Sequence, residues 1–479
     1  MLIAVLSAFT IVPSAQAAPS KPASADPLLH QWFNDTWRSF DAMTGPSGLP
    51  TDNYCRSGST WQAAGYTSPT NIGAYLWTTL AADKLGTISH GEAIKRLRAT
   101  LATLAKLDTA HGFYFNWYDP ATGRRLTTWP ADGSPVRPFL STVDNAWLAV
   151  GLTMVRNTHP ELRKQAAKLL APMDFGFFYD AFQPADPYAH PGQMYGGYWT
   201  DDNTYTGFHY GTLNTEPRMA SYLGIAAGDV PGDHYYRMFR TLPANYDWQE
   251  QIPEGTTATY DGVSVFEGHY TYRGKRIVPT WGGSMFEALM VPLFVPEAQW
   301  APNSWGVTHP LYVKSQIEHG LLDAKYGYWG FSPSNKPEGG YKAYGVDAIG
   351  MEPNGYPSNN DDTFVDRFSP PPPPSAYTNG VVTPHASLLA LPYAGQAAMD
   401  NLTKLIAHYP VYGPYGFYDS VNVDSGAVSS CVLALDQGMA AAAMANALTG
   451  GWMQTAFVDR QFEGTVRSLI APEHFTAGS

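Results

Sequence analysis

Apolar positions recur at three- and four-residue spacing over most of the chain, the period of an amphipathic helix. Ile72, Leu76 and Leu80 repeat every four residues, with Thr70 placed to cap. Ile94, Leu97, Leu101, Leu104 and Leu107 form one apolar helix face. Val143, Ala146, Trp147, Val150 and Met154 form another, and Ser141 with Asp144 has the spacing of a capping box. Further helices are expected at about 160–172, 215–227, 283–292, 309–324, 384–406 and 426–448, with Thr383-Pro384 as a cap-then-proline start. Strand signals are few, as at Tyr270 to Ile277. There is no fixed repeat period, which argues against a solenoid. Between Gly330 and Thr383 helical periodicity nearly vanishes, and a stretch of that length is more often a functional loop than inert connection. The polyproline-like run Pro370–Pro374 interrupts the helical series without dividing two composition regimes. The pattern predicts one large, all-α domain carrying long loops on one face.

The N-terminus reads differently. Leu2 to Val12 has the length of a signal-peptide apolar core, and Ala15-Gln16-Ala17 resembles a cleavage site, although no Lys or Arg precedes the run. The expectation is a signal peptide at 1–17, a disordered leader at 18–27, an ordered domain at 28–479, and a secreted protein. Cys55 and Cys431 could pair in an exported chain or remain as buried small hydrophobes.

Composition narrows the function. Only 15% of residues are charged, against about 25% in an average globular protein. A net charge of -12 excludes a phosphate-tracking nucleic-acid binder and disfavours polyanionic substrates. Fourteen Trp, 30 Tyr and 22 Phe exclude disorder. No run of about 20 apolar residues follows the N-terminus, so no stable membrane association is expected.

Aromatic clusters mixed with Gly, Asp and Asn recur at 111–119, 195–202, 326–331 and 412–419. The rings include Trp117, Tyr195, Trp199, Trp329 and Tyr415, and Asn116 lies beside Trp117. A neutral sugar offers an apolar ring face and a rim of hydroxyls, which stacking rings and short polar side chains match. One such cluster alone is an ordinary packed loop, but the repetition points to a carbohydrate groove. HExxH, EF-hand, phosphate-loop and GxSxG motifs are missing, and His309, His319 and His385 lack ligand spacing, so no metal or cofactor is expected. Glycoside hydrolysis needs two carboxyl groups. Asp144, Glu216, Glu287, Glu318 and Asp419 are the candidates, and residue physics alone does not rank them.

The strings Thr67–Gly73, Thr215-Glu216-Pro217-Arg218, Trp281–Glu287 and Ala434–Met439, with Phe115–Asp119 and Tyr328–Ser332, resemble the glycoamylase-like group that includes the endo-β-1,2-glucanases of glycoside hydrolase family 144. The likeness runs from about residue 30 to 455. It implies an (α/α)6 barrel as the catalytic domain and internal hydrolysis of β-1,2-glucan to sophorooligosaccharides with inversion. It implies Glu216 as the acid and Asp419 as the base, with Asp144 and Glu287 in the cleft. The expected partner is a neutral glucan, bound by a monomer.

Overall fold

The computed structural model describes residues 26–242, 251–351, 377 and 379–478. The signal peptide, most of the leader and the Pro370–Pro374 run lie outside the described residues. The helices used below are α1 (Asp26–Met43), α2 (Pro69–Lys84), α3 (His90–Leu104), α4 (Thr142–Thr158), α5 (Arg163–Leu170), α6 (Arg218–Ala227), α7 (Met285–Leu289), α8 (Trp305–Glu318), α9 (Pro384–Leu389), α10 (Gln396–His408) and α11 (Ala434–Thr449).

Two kinds of helix emerge from burial. Helices α2, α4 and α11 are buried nearly all round, whereas α3 and α10 bury a single stripe such as Ala93, Leu97, Leu101 and Leu104. All-round burial marks an inner helix and a stripe marks one that covers it. Packing follows this division. Helix α2 lies against α4, α4 against α6, α7 against α9, α9 against α11, and α11 against α2. Hydrogen bonds from Arg218 to the carbonyls of Glu287 and Ala288 join α6 to α7. Outside these six, α1 packs on α11 and α2, α3 on α2, α5 on α4, α8 on α7, and α10 on α9. The α2–α4 contact is close because Gly73 faces the Trp147 carbonyl, where a Cβ would come within 2.4 Å.

Several expected boundaries shift. The cap of α2 is Ser68, whose hydroxyl accepts from Asn71 N–H, not Thr70. The helix expected over 384–406 is broken, because Pro392 and Gly395 interrupt it before α10. The helix expected from 426 begins at Ala434, after a strand. Helix α1 begins inside the expected leader and carries Leu29, Phe33, Trp37 and Phe40 into the core.

The expectation of an all-α chain also omits short antiparallel sheets. Strands β1 (Asn53–Ser57), β2 (Thr60–Ala63) and β6 (Cys431–Leu433) form one, and β3 (Glu254–Tyr260), β4 (Val263–Tyr272) and β5 (Lys275–Ile277) another. Most other strands are two or three residues long, too short to write a period-2 pattern. Among the described residues, no helix is long and apolar enough to cross a membrane.

Cys55 and Cys431 sit directly opposite each other in the β1–β6 register and form a disulfide. It joins positions 376 residues apart, tying the start of the domain to its end. Reduction, or Cys55→Ser with Cys431→Ser, is expected to cost about 2–5 kcal/mol of stability, read as a lower denaturant midpoint.

Candidate active site

The N-terminal ends of α2, α4, α6, α7 and α11 meet at one cavity, and three of these helices begin with the same device. Ser68, Ser141 and Ser284 each accept from the N–H three residues on, at Asn71, Asp144 and Glu287. In a reciprocal capping box that third residue turns back to the cap. Here its side chain faces a cavity of about 920 Å³ lined also by Glu216 and Asp52.

Glu216 precedes α6, and its Oε2 accepts from the indole N–H of Trp147. Its own backbone N–H donates to Glu287 Oε2 at 3.0 Å, which holds the two glutamates side by side. Burial, then the charge of Glu287, raises the Glu216 pKa well above the usual carboxylate range. The helix dipole and the Trp147 donor pull the other way, and burial wins. Burial likewise pushes Glu287 up to about 7, against the lowering effects of the Glu216 N–H and Arg218. Both side chains remain part-exposed, since the cavity opens over them. Asp144 Oδ1 accepts from the Thr70 hydroxyl at 2.6 Å. Asp52, raised by burial, accepts from Asn71 Nδ2 at 2.8 Å.

One wall is aromatic. Tyr66 meets Trp117 and Trp129 edge-on at 5.4 Å each, and Trp281, Phe286 and Tyr341 also face the space. The lining contains no Lys or Arg among the described residues. A lining rich in carboxyl groups and without Lys or Arg offers no counter-charge to phosphates or uronates, leaving neutral polyols or cations as fitting ligands.

Asp419 lies behind this lining. It is 2% exposed, with Oδ2 accepting from the backbone N–H of Asn335, a cavity residue. It forms a carboxyl pair with Asp436, the third residue of α11. Burial pushes Asp419 up to about 7, and burial with the Asp419 charge raises Asp436 well above the usual carboxylate range. Asp436 Oδ2 is 3.3 Å from His385 Nδ1. The dyad titrates as a unit, with one proton shared at neutral pH.

Of the other expected residues, only Trp117 lines the cavity. Asn116, next to it, donates its backbone N–H to Phe139. Tyr195 stacks between Tyr205 and His209 at 4.4 Å each, and His209 reaches the cavity. Trp199 packs on Phe139 and under the Arg137 guanidinium. Tyr415 packs edge-on against Trp61 on the β1–β2 hairpin. The expected sugar contact for Trp329 is corrected: at 2% exposure it is core, with its carbonyl held by Asn401. Glu318 is outside the site, paired with Lys275 at 2.6 Å. Sequence reasoning missed Asp52, Tyr66 and Trp129 as wall residues. The repeated Ser-x-x-polar start of three helices was the signal available for Asn71, Asp144 and Glu287.

Residues 252–460 match a family model described as "Putative glucoamylase", and residues 31–178 match one described as "Protein of unknown function (DUF3131)". The chain is 24% identical over 562 residues to the cyclic β-(1,2)-glucan synthase NdvB of Rhizobium meliloti, covering 88% of this chain and 18% of that one. It is 20% identical over 364 residues to an exo β-1,2-glucooligosaccharide sophorohydrolase (non-reducing end) of Parabacteroides distasonis, covering 74% of this chain and 46% of that one. The chain thus spans less than half the length of either relative. A putative glucoamylase from Bacteroides fragilis superposes with TM-score 0.66 at 19% identity, covering 96% of this chain and 99% of that one. The endo-β-1,2-glucanase of Chitinophaga pinensis, solved with sophorotriose and glucose, superposes with TM-score 0.63 at 17% identity, covering 94% and 98%. These likenesses show a shared fold.

The raised carboxyl groups make stability pH-dependent. The folded chain keeps the Glu287 proton up to about 7, while the unfolded chain releases it near the ordinary glutamate value of 4.5. Stability from this group is therefore complete below about pH 4.5 and falls as pH rises toward 7. Glu287→Gln is expected to flatten that fall, measured as melting temperature against pH.

Proposed function

We propose that the chain is a glycoside hydrolase that cleaves β-1,2-linked glucan internally. We read its six mutually packed inner helices and their outer neighbours as an (α/α)6 barrel. The observation that carries the proposal is the glutamate pair Glu216/Glu287 at the floor of a ring-walled cavity with no Lys or Arg among the described residues of its lining. The β-1,2-glucan activities named for the two relatives support the linkage. The disulfide supports an exported chain, since such bonds persist in oxidising compartments.

A pyranose would lie against the Tyr66–Trp117–Trp129 wall, its hydroxyls facing Asp52, Asn71 and Asp144. Glu216, kept protonated by burial, gives its proton to the glycosidic oxygen as the bond to the anomeric carbon breaks. Water bonds to that carbon from the opposite face and loses a proton to Asp419, directly or relayed through a sugar hydroxyl. Asp419 accepts the backbone N–H of Asn335, a hydrogen bond that favours its ionised form and so suits it to the base role. Direct displacement by water inverts the anomeric centre. The similarity to NdvB along 88% of this chain favours a second reading, transfer to a sugar hydroxyl in place of water.

Linear β-1,2-glucan should give new reducing ends of mixed size, and Glu216→Gln should lower kcat by about 10²–10⁴-fold. Asp419→Asn should do the same. Equal products from wild type and Glu216→Gln would remove Glu216 from the acid role. A larger loss in Glu287→Gln than in Asp419→Asn, with a retained anomer by NMR, would move the second carboxyl role to Glu287. Enlarged or cyclic products would favour transfer.

Trp147→Phe removes a donor to the Glu216 carboxylate, so the acid should hold its proton to higher pH. The alkaline limb of kcat/KM is expected to move upward. A downward shift would place another group in control of that limb.

A further inference from the structure

The ends of α2 and α4 remote from the cavity carry a second cluster. Asp83 lies in the last turn of α2, His90 opens α3, and His159 caps the C-terminus of α4. The cavity residue Thr70 and Asp83 are thirteen residues apart on α2, which at 1.5 Å per residue puts the cluster about 20 Å from the catalytic floor.

Three side chains from three helices meet at one oxygen. Asp83 Oδ2 is 2.8 Å from His90 Nδ1 and 3.2 Å from His159 Nε2. One donor atom from each of Asp83, His90 and His159 falls within 4.8 Å of the others. Donors about 2.0–2.1 Å from a tetrahedral zinc ion sit about 3.3 Å from one another, so small shifts would complete the set.

The hydrogen bonds decide what occupies the space between them. Thr158 donates its only hydroxyl proton to the Met154 carbonyl at 2.7 Å. It can therefore only accept from His159 Nδ1, 2.9 Å away, which places the ring proton on Nδ1. The lone pair of Nε2 then faces the Asp83 carboxylate, two acceptors with no proton between them in the neutral ring. His90 has the complementary arrangement, with Nδ1 on Asp83 and Nε2 3.5 Å from Glu161 Oε1. A histidine ligand typically sends its second ring N–H to an oxygen in this way, which orients the first nitrogen toward the metal. The C-terminal ends of α2 and α4 add negative potential that favours a cation.

We propose that Asp83, His90 and His159 form a binding site for a borderline divalent transition metal of the zinc class, which clips together the far ends of α2, α3 and α4. Two imidazoles and one carboxylate suit such a metal better than calcium or magnesium, which take oxygen ligands. Water has access to the remaining coordination position, because the His90 side chain is 57% exposed. The role is structural, since the cluster is remote from the sugar-facing residues.

The test is calorimetric titration of chelator-stripped full-length protein with zinc sulfate at pH 7.5, paired with melting temperature. Wild type should bind about one zinc per chain at micromolar concentration, with a rise in melting temperature that chelator reverses. His90→Ala, at an exposed position, should fold normally in chelator yet lose that binding. Glu161→Gln should weaken it by about 10–100-fold, the usual effect of removing a partner that orients a ligand. Lack of saturable binding by wild type, or equal binding by wild type and His90→Ala, would overturn the site.

Discussion

The buried guanidinium of Arg218 is the constraint on which the catalytic geometry depends. It is fully excluded from solvent and makes a bidentate pair with Glu297, at 2.8 and 2.9 Å. Burial alone would push the Glu297 carboxyl up, but the charge and hydrogen bonds of Arg218 hold it down to about 2. Its remaining donors go to the carbonyls of Thr215, Glu287 and Ala288. One side chain thus fixes the residue before Glu216, the residue Glu287 itself and its neighbour Ala288 on α7, and their separation is set by the reach of a rigid fork. The Glu216–Glu287 hydrogen bond is a consequence of that fork. A Lys here would satisfy the charge but not the carbonyls.

Placing a buried cation there resolves an electrostatic conflict. Glu216 and Glu287 repel each other and are both desolvated, which favours their neutral forms. The charge of Arg218 and the helix N-termini lower both groups, opposing the burial that raises them. The Asp419–Asp436 dyad lacks such a cation in direct contact, and burial raises both of its carboxyls, with the Asp419 charge adding at Asp436. Two acidic pairs with raised carboxyls therefore sit at one site in different surroundings, the kind of arrangement that separates acid and base roles.

The helical frame was legible in the sequence because α2, α3, α4 and α8 repeat their apolar residues over several turns. Helix α1 was equally periodic at Leu29, Phe33, Trp37 and Phe40, but its Ala- and Pro-rich approach hid its start. Apart from Tyr270 to Ile277, which falls on β4 and β5, the strands were not legible, since most are too short for a period-2 pattern and some, such as β6 on β1, pair only because the fold brings distant segments together. Cys55 and Cys431 illustrate this: nothing near either residue announces the other, and only the β1–β6 register brings them opposite. For the site, Glu216, Asp144 and Glu287 were visible as first-turn acids. Asp52 and Trp129 were not, since a lone Asp and a lone Trp in loops carry no local pattern. Trp329 was misread for the complementary reason, as an aromatic-rich loop string looks the same whether its ring faces sugar or core.

The division of labour along α2 and α4 follows from what a helix offers at its two ends. The first turn exposes N–H groups and positive potential, and there the chain places serine caps and spends the third residue on the cavity. The last turn exposes carbonyls and negative potential, and there the chain places His159 and a shared carboxylate beside His90. The interior between them is packed too tightly for either kind of group, with Gly73 against the Trp147 backbone and Trp77 against the Trp147 ring. Chemistry is thereby confined to the termini. Changes in the first turns alter the carboxyl groups and their pKa values, whereas changes in the last turns alter how firmly the inner helices are held. The two can be separated experimentally because about 20 Å of close-packed helix lies between them.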